Sequence, residues 1–252
     1  MIFYFSAEGN SKHVSECIQN PNETLISITD AVRYGAYEYH VDEDRIGIVS
    51  PTYDWTLPAI VSEFLNKLTL HFDKKPYLFY VATYGTTSGA SAAMADQILK
   101  KKGYSFDACF DIKMPDTWTP IFDLSDPEEV KKTLGNSEKE IDELKQQLND
   151  KVHGRHMSLT TPVFIGKLGL ALYNGYTRNT SNLSVTDACI GCGLCAKKCP
   201  VSAIEIQNHK PVWVKDQCLM CLGCLHRCPR FAIQRGKNTS KHGQYTNPYT
   251  RI

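Results

Sequence analysis

No apolar run in this chain approaches the roughly 20 residues that a membrane-spanning helix needs; the longest candidate, residues 162–173, is short and contains Lys167. An export signal is not expected, because the apolar stretch Ile2-Phe3-Tyr4-Phe5 is too short and no basic region precedes it. Neither sign of charge is in excess, with 28 Lys and Arg against 27 Asp and Glu. Arginine-rich runs and aromatic platforms are lacking, which argues against a nucleic-acid partner. The patterns G-x₄-G-K-[ST] and G-x-G-x-x-G are both absent, so neither a triphosphate loop nor a dedicated nicotinamide site is expected. None of the eight histidines forms a ligand pair, and His153 and His156 read as solvated. No nucleophile or general acid–base constellation stands out, so no catalytic residue is nominated.

Cysteine is what the chain has in plenty: eight of its ten fall in two copies of one motif. The first reads Cys189-Ile-Gly-Cys192-Gly-Leu-Cys195-Ala-Lys-Lys-Cys199-Pro200, the second Cys218-Leu-Met-Cys221-Leu-Gly-Cys224-Leu-His-Arg-Cys228-Pro229. Three cysteines at successive two-residue spacings can reach three corners of an iron–sulfur cubane from one tight loop. A four-cysteine zinc module instead takes two cysteines from each of two separate knuckles. A disulfide framework needs an oxidising compartment, which nothing in the sequence suggests. The duplication runs past the prolines, where each copy supplies an apolar pair, Ala203-Ile204 and Ala232-Ile233. The two remaining cysteines, Cys17 and Cys109, read as small buried apolar groups.

Residues 184–237 resemble a bacterial-type two-cluster ferredoxin along their whole length. The resemblance implies two [4Fe–4S] clusters with crossed ligation. Cys189, Cys192, Cys195 and Cys228 would hold one; Cys218, Cys221, Cys224 and Cys199 would hold the other. So short a segment builds little core, so the clusters should staple it.

Residues 1–155 read differently. Short apolar runs at 2–5, 24–28, 45–50, 77–83 and 106–112 alternate with helix candidates at 11–19, 58–70 and 91–102, and a charged helix at 126–152 closes the series. Strands alternating with helices predict a parallel sheet covered on both faces, with ligands at the carboxyl ends of its strands. Three loops at those ends carry ligand-like chemistry: Ser6-Ala-Glu8-Gly9-Asn10-Ser11, Pro51-Thr52-Tyr53-Asp54-Trp55-Thr56-Leu57-Pro58, and Thr83-Tyr84-Gly85-Thr86-Thr87-Ser88-Gly89. The first joins a strand to a helix N-terminus, where backbone N–H groups and the helix dipole favour an anion.

These loops resemble those of a flavodoxin-like domain, which implies FMN. Carried over, Ser6, Gly9, Asn10 and Ser11 would bind its phosphate; Thr52, Tyr53 and Trp55 would flank one side of the flavin, and Thr83, Tyr84 and Gly85 the other. Glu8 departs from the pattern, standing where the family has a threonine. A carboxylate facing a phosphate is repulsive, so Glu8 should point outward or weaken FMN binding. Trp118 reads either as cover for the flavin edge or as packing.

The whole is similar to the flavodoxin–ferredoxin fusion proteins of anaerobes. The expected fold is a doubly wound, parallel, five-stranded α/β domain (1–155), a connector (156–183) whose residues 159–173 form a packed helix, a small α+β ferredoxin domain (184–237) and a tail (238–252). The expected function is electron transfer between two [4Fe–4S] clusters, FMN and a redox partner protein in a reducing cytoplasm. An iron–sulfur flavoprotein reductase and a flavin-free scaffold are the alternatives. Charge is split: residues 1–155 carry 24 acidic against 16 basic groups, a difference of −8, and residues 184–252 carry 3 against 10, a difference of +7. Basic residues such as Lys197, Lys198, Arg227 and Arg230 beside the cysteines therefore suggest docking on an acidic surface, either the chain's own first domain or a redox partner.

Overall fold

The computed structural model describes residues 1–158 and 160–252. Its first domain runs β1 (Ile2–Tyr4), α1 (Asn10–Ile18), β2 (Leu25–Ser27), α2 (Ile28–Tyr34), β3 (Glu38–His40), β4 (Arg45–Pro51), α3 (Ala59–Lys67), β5 (Thr69–His71), β6 (Tyr77–Tyr84), α4 (Ser91–Lys100), β7 (Ala108–Lys113), α5 (Pro127–Asn149) and β8 (Gly154–His156). Six strands pair in parallel in the order β2-β1-β4-β6-β7-β8. Five of them are the expected ones. The sixth, Gly154-Arg155-His156, is exposed throughout and so carries no apolar signal. β3 and β5 form a separate two-stranded ribbon.

Strand residues alternate between the two faces, as period-2 geometry requires. Ile2 packs toward Val14 and Ile18 of α1 and Leu134, Ile141 and Leu144 of α5, whereas Phe3 packs toward Ile60, Val61 and Phe64 of α3 and Ala95 and Leu99 of α4. The sheet is thus buried on both sides. Helix α2 was not expected, because its apolar Ile28 reads as the end of the preceding strand. It is capped by Ser27, whose hydroxyl accepts from Asp30 N (3.2 Å), and stopped by Gly35 at φ 70°.

The connector holds α6 (Val163–Leu172), followed by one π-helical turn, Tyr173–Thr177; Leu159, the first residue of the expected helix, lies outside the described residues. A Cβ on Gly169 would stand 2.1 Å from Asp54 O, so only glycine lets α6 lie directly on the second loop. The second domain contains β9 (Leu183–Val185), α7 (Leu194–Lys197), β10 (Ile204–Gln207), β11 (Lys210–Trp213), α8 (Gly223–His226), β12 (Ile233–Arg235) and α9 (Thr239–His242). β10 pairs with β11 and β9 with β12, both antiparallel. Among the described residues, no helix is long and apolar enough to cross a membrane.

Candidate functional site

A cavity of about 350 Å³, within the range of small-molecule sites, opens at the carboxyl ends of β1, β4, β6 and β7. Ser6, Asn10 and Ser11 line it, as do Thr52, Tyr53 and Trp55, and Thr83, Tyr84 and Gly85. The structure therefore brings nine of the ten loop residues nominated from the sequence to one space. Gly9 lies behind the loop instead, its Cα facing Asn247. The second loop is a tight turn with Asp54 and Trp55 both left-handed (φ 45° and 63°), closed by Tyr53 N to Thr56 O and Thr56 N to Tyr53 O bonds. Two strained non-glycine residues side by side are the kind of feature that collects at ligand sites.

A fourth wall comes from residues the loop comparison did not nominate, running from Met114 to Trp118 after β7. Trp118 lines the cavity under the guanidinium of Arg235, 4.5 Å above its ring. Asp116 ties this wall to the third loop, accepting from Thr86 Oγ1 (3.0 Å) and Trp118 N (3.1 Å). The fifth wall comes from beyond the first domain: Tyr173 and Thr177 of the connector, and Met220, Cys221 and Leu222 of the second cysteine motif.

The C-terminal tail latches the first loop. Tyr245 Oη (2.6 Å) and Asn247 Nδ2 (3.1 Å) both donate to Asn10 Oδ1, and Asn247 N donates to Glu8 O (2.7 Å). The Asn10 carboxamide is thereby engaged by the protein, its Nδ2 also donating to Pro115 O (3.4 Å). The same tail grips the second motif. Gln244 Nε2 donates to Leu225 O (2.6 Å) and Cys228 O (2.9 Å), and Tyr245 N donates to His226 Nδ1 (3.2 Å). With Nδ1 accepting, the other ring nitrogen of His226 donates to Thr117 O (2.9 Å), and burial lowers this imidazole to about 4.

The cysteines gather in two quartets. Cys189, Cys192, Cys195 and Cys228 surround one small hollow; Cys199, Cys218, Cys221 and Cys224 surround another. In each, the cysteine preceding proline has crossed over from the other copy. Backbone N–H groups aim at the sulfurs, from Ala203 to Cys199 Sγ (3.2 Å), from Ala232 to Cys228 Sγ (3.3 Å) and from Met220 to Cys218 Sγ (3.2 Å). Burial pushes the thiols of Cys195, Cys218, Cys221 and Cys224 up, so without a metal these groups stay neutral.

Residues 1–140 match the family model described as a flavodoxin domain, and residues 182–229 match the 4Fe-4S dicluster domain. The chain belongs to the flavodoxin family, with a dicluster domain fused behind it. That architecture carries an FMN- and iron–sulfur-based redox function. Solved structures resemble it more distantly. Rubredoxin oxygen:oxidoreductase from the anaerobe Desulfovibrio gigas is 14% identical over 57% of this chain, with a TM-score of 0.33, and the matched region spans 36% of that protein's length. The FMN-dependent NADH-azoreductase of Bacillus anthracis str. Ames Ancestor, in complex with FMN, is 12% identical over 58% of this chain and 98% of that one (TM-score 0.34). The Trp repressor binding protein of Bacillus subtilis is 10% identical over 46% of this chain and 83% of that one (TM-score 0.30). No curated protein matches the sequence.

The flavodoxin domain's cavity has the unmet polar atoms that a ligand must satisfy. Glu8 Oε1, Tyr53 Oη and Asp54 Oδ2 are buried around it without a hydrogen-bond partner among the described residues. Glu8 does not point outward, being only 6% exposed. Burial pushes its carboxyl up to about 8, against the pull of Arg227, so at pH 7 it is neutral and does not repel a phosphate. Arg227 is correspondingly not a surface group: it is half-buried, donates to Gly223 O (3.1 Å) and faces Glu8. Lys197, Lys198 and Arg230 are exposed as expected. Cys109 is buried, whereas Cys17 is only half-buried and lies beside His13.

Proposed function

We propose that the chain is a cytoplasmic electron-transfer protein that relays electrons between two [4Fe–4S] clusters and an FMN, and exchanges them with a redox partner protein. One observation carries this reading: Met220, Cys221 and Leu222 form a wall of the cavity to which the three flavodoxin loops contribute. When bound, the clusters supply one-electron steps and the flavin accepts two electrons one at a time.

The residues divide the work. The two crossed quartets supply the four thiolates that each cluster needs, and the N–H groups of Ala203, Met220 and Ala232 stabilise the sulfur charge. The first turn of α1 offers N–H groups to the FMN phosphate, with Ser6 and Ser11 beside it. Tyr53 and Trp55 on one side and Thr83, Tyr84 and Gly85 on the other enclose the ring system, and Trp118 covers an edge. Tyr173 and Leu222, both buried, flank Cys221 in the cavity wall. Exposed Cys192, with Lys197, Lys198 and Arg230 close to it in sequence or across the first hollow, marks where an acidic partner docks.

Anaerobic purification followed by iron, sulfide and flavin analysis tests the proposal. It requires eight irons, eight sulfides and one FMN per chain, as two [4Fe–4S] clusters dictate (about 4 each). Absence of FMN after reconstitution returns the chain to a flavin-free scaffold, and rapid turnover of quinones or nitroaromatics makes it a reductase.

A further inference from the structure

We propose that His13, Cys17 and Glu138 bind a divalent transition-metal cation of the zinc class, at a site separate from both cysteine quartets. His13 and Cys17 stand four residues apart on α1, so they share one face of the helix. α5 crosses that face and brings in Glu138. The three donor atoms, imidazole nitrogen, thiol sulfur and carboxylate oxygen, all lie within 4.8 Å of one another.

The donors are close enough for a tetrahedral ion to draw them together. Zinc lies about 2.0–2.1 Å from nitrogen and about 2.3 Å from sulfur, which sets donors roughly 3.3–3.7 Å apart. Cys17 Sγ is 3.7 Å from both His13 ring nitrogens, so it sits off the lone-pair axis of either, and the imidazole must turn about its Cβ–Cγ bond before nitrogen and sulfur share an ion. His13 Nε2 and Glu138 Oε1 are 2.7 Å apart, joined by a hydrogen bond, and must separate by about 0.6 Å to admit the ion. Glu138 can do this by side-chain rotation, since it is 39% exposed.

Chemistry and charge point the same way. Thiolate with imidazole suits zinc and disfavours magnesium or calcium, which prefer all-oxygen shells. Glu138, Glu16 and Asp142 face the thiol against Lys145, an acidic excess that a dication would offset. Asp142 is exposed one turn after Glu138 on α5, and the fourth position of the ion is left to a water. Tyr249 of the tail packs on the His13 ring, 5.2 Å between centroids, and narrows access from that side. The ion would pin α1 to α5 behind the first loop.

The test is to incubate the anaerobically purified holoprotein with zinc alone, dialyse it, and measure zinc and iron per chain. X-ray absorption at the zinc edge then gives the donor set. The expected result is one zinc per chain with one sulfur and the remaining donors nitrogen or oxygen. Cys17→Ala and Glu138→Gln should each weaken retention at least about tenfold, since even partners behind the ligands cost that much, with iron content unchanged. Glu138→Gln changes an exposed side chain and keeps the comparison sound should Cys17→Ala fold poorly. No retained zinc, zinc held equally by both variants, or an all-sulfur shell from misloaded cluster cysteines would each overturn the proposal.

Discussion

The two cysteine motifs have one backbone and opposite surroundings. Counterparts lie 29 positions apart, Cys189 with Cys218 and Cys199 with Cys228. Left-handed residues recur at the same offset: Gly191 and Met220 (φ 67° and 50°), Gly193 and Leu222 (74° and 56°), Ser202 and Phe231 (48° and 47°). The first motif uses glycine where the loop turns left-handed. The second uses Met220 and Leu222, which costs roughly 1–2 kcal/mol per residue in that conformation. The gain is burial: both side chains are 3% exposed and wall the flavodoxin cavity, whereas Cys192 of the first motif is exposed. The difference teaches that one duplicated loop has been fitted to two surroundings, one facing solvent and one facing the flavodoxin cavity.

Breaking the crossed ligation should have the largest effect. Cys199→Ala should remove the cluster of the second motif and Cys228→Ala that of the first, each with loss of about half the iron. Spectroscopy of each variant identifies the surviving cluster. Loss of the same-motif cluster in both would reverse the pairing. Either change should also lower the stability of the dicluster domain markedly, because cluster binding is part of its folding energy.

Removal of the tail from Gln244 onward comes next, because the tail joins the second motif, and not the first, to the flavodoxin loop. Losing the bonds to Asn10 and Glu8 should weaken FMN by about 1–2 kcal/mol, on the order of tenfold. FMN titration of the truncated and full chains measures it, and Asn247→Ala should reproduce part of the loss.

A smaller effect is expected from pH at Glu8. Its carboxyl is held up at about 8, so it stays neutral at pH 7 and ionises as pH rises through that value. FMN affinity should therefore fall above about pH 8 and stay level in Glu8→Gln. The sign for stability is the same: a carboxyl raised on folding gives stability that is full below the ordinary carboxylate range and is lost as pH rises toward 8. Flavin binding and denaturation measured at pH 6, 7 and 9 separate the two proteins.

Exchanging the turn residues should cost least and in both directions. Gly191→Met meets His209 O at 2.7 Å and adds left-handed strain with no burial in return, a loss of about 1–2 kcal/mol. Met220→Gly relieves the strain but forfeits a buried side chain worth about 1.5–3 kcal/mol, a net loss on the order of 1 kcal/mol. Denaturant midpoints of the two variants decide whether the motifs are as specialised as their surroundings indicate.

What could be read from the residues was what is local. Ligand spacing within one loop identifies three cysteines of each quartet, the ferredoxin resemblance supplies the crossed fourth, and apolar periodicity identifies five strands and their loops. β8 escaped because Gly154-Arg155-His156 pairs at an exposed edge without an apolar face. The wall from Met114 to Trp118 carries one sequence signal, Trp118, and otherwise follows only from the rule that ligands sit beyond strand ends. The burial of Glu8 was not legible because it depends on residues more than two hundred positions away, Arg227 and the tail around Tyr245 and Asn247. Contacts of that separation leave no pattern along the chain.

The central claim is that the second-motif cluster and the flavin share one cavity wall. The most direct test is flash photoreduction of the loaded protein with the flavin signal followed in time. The account predicts intramolecular flavin reduction at a rate independent of protein concentration, lost in Cys221→Ala and retained for electrons placed on the second cluster in Cys192→Ala. A rate that rises in proportion to protein concentration, or one that survives removal of Cys221, would contradict it.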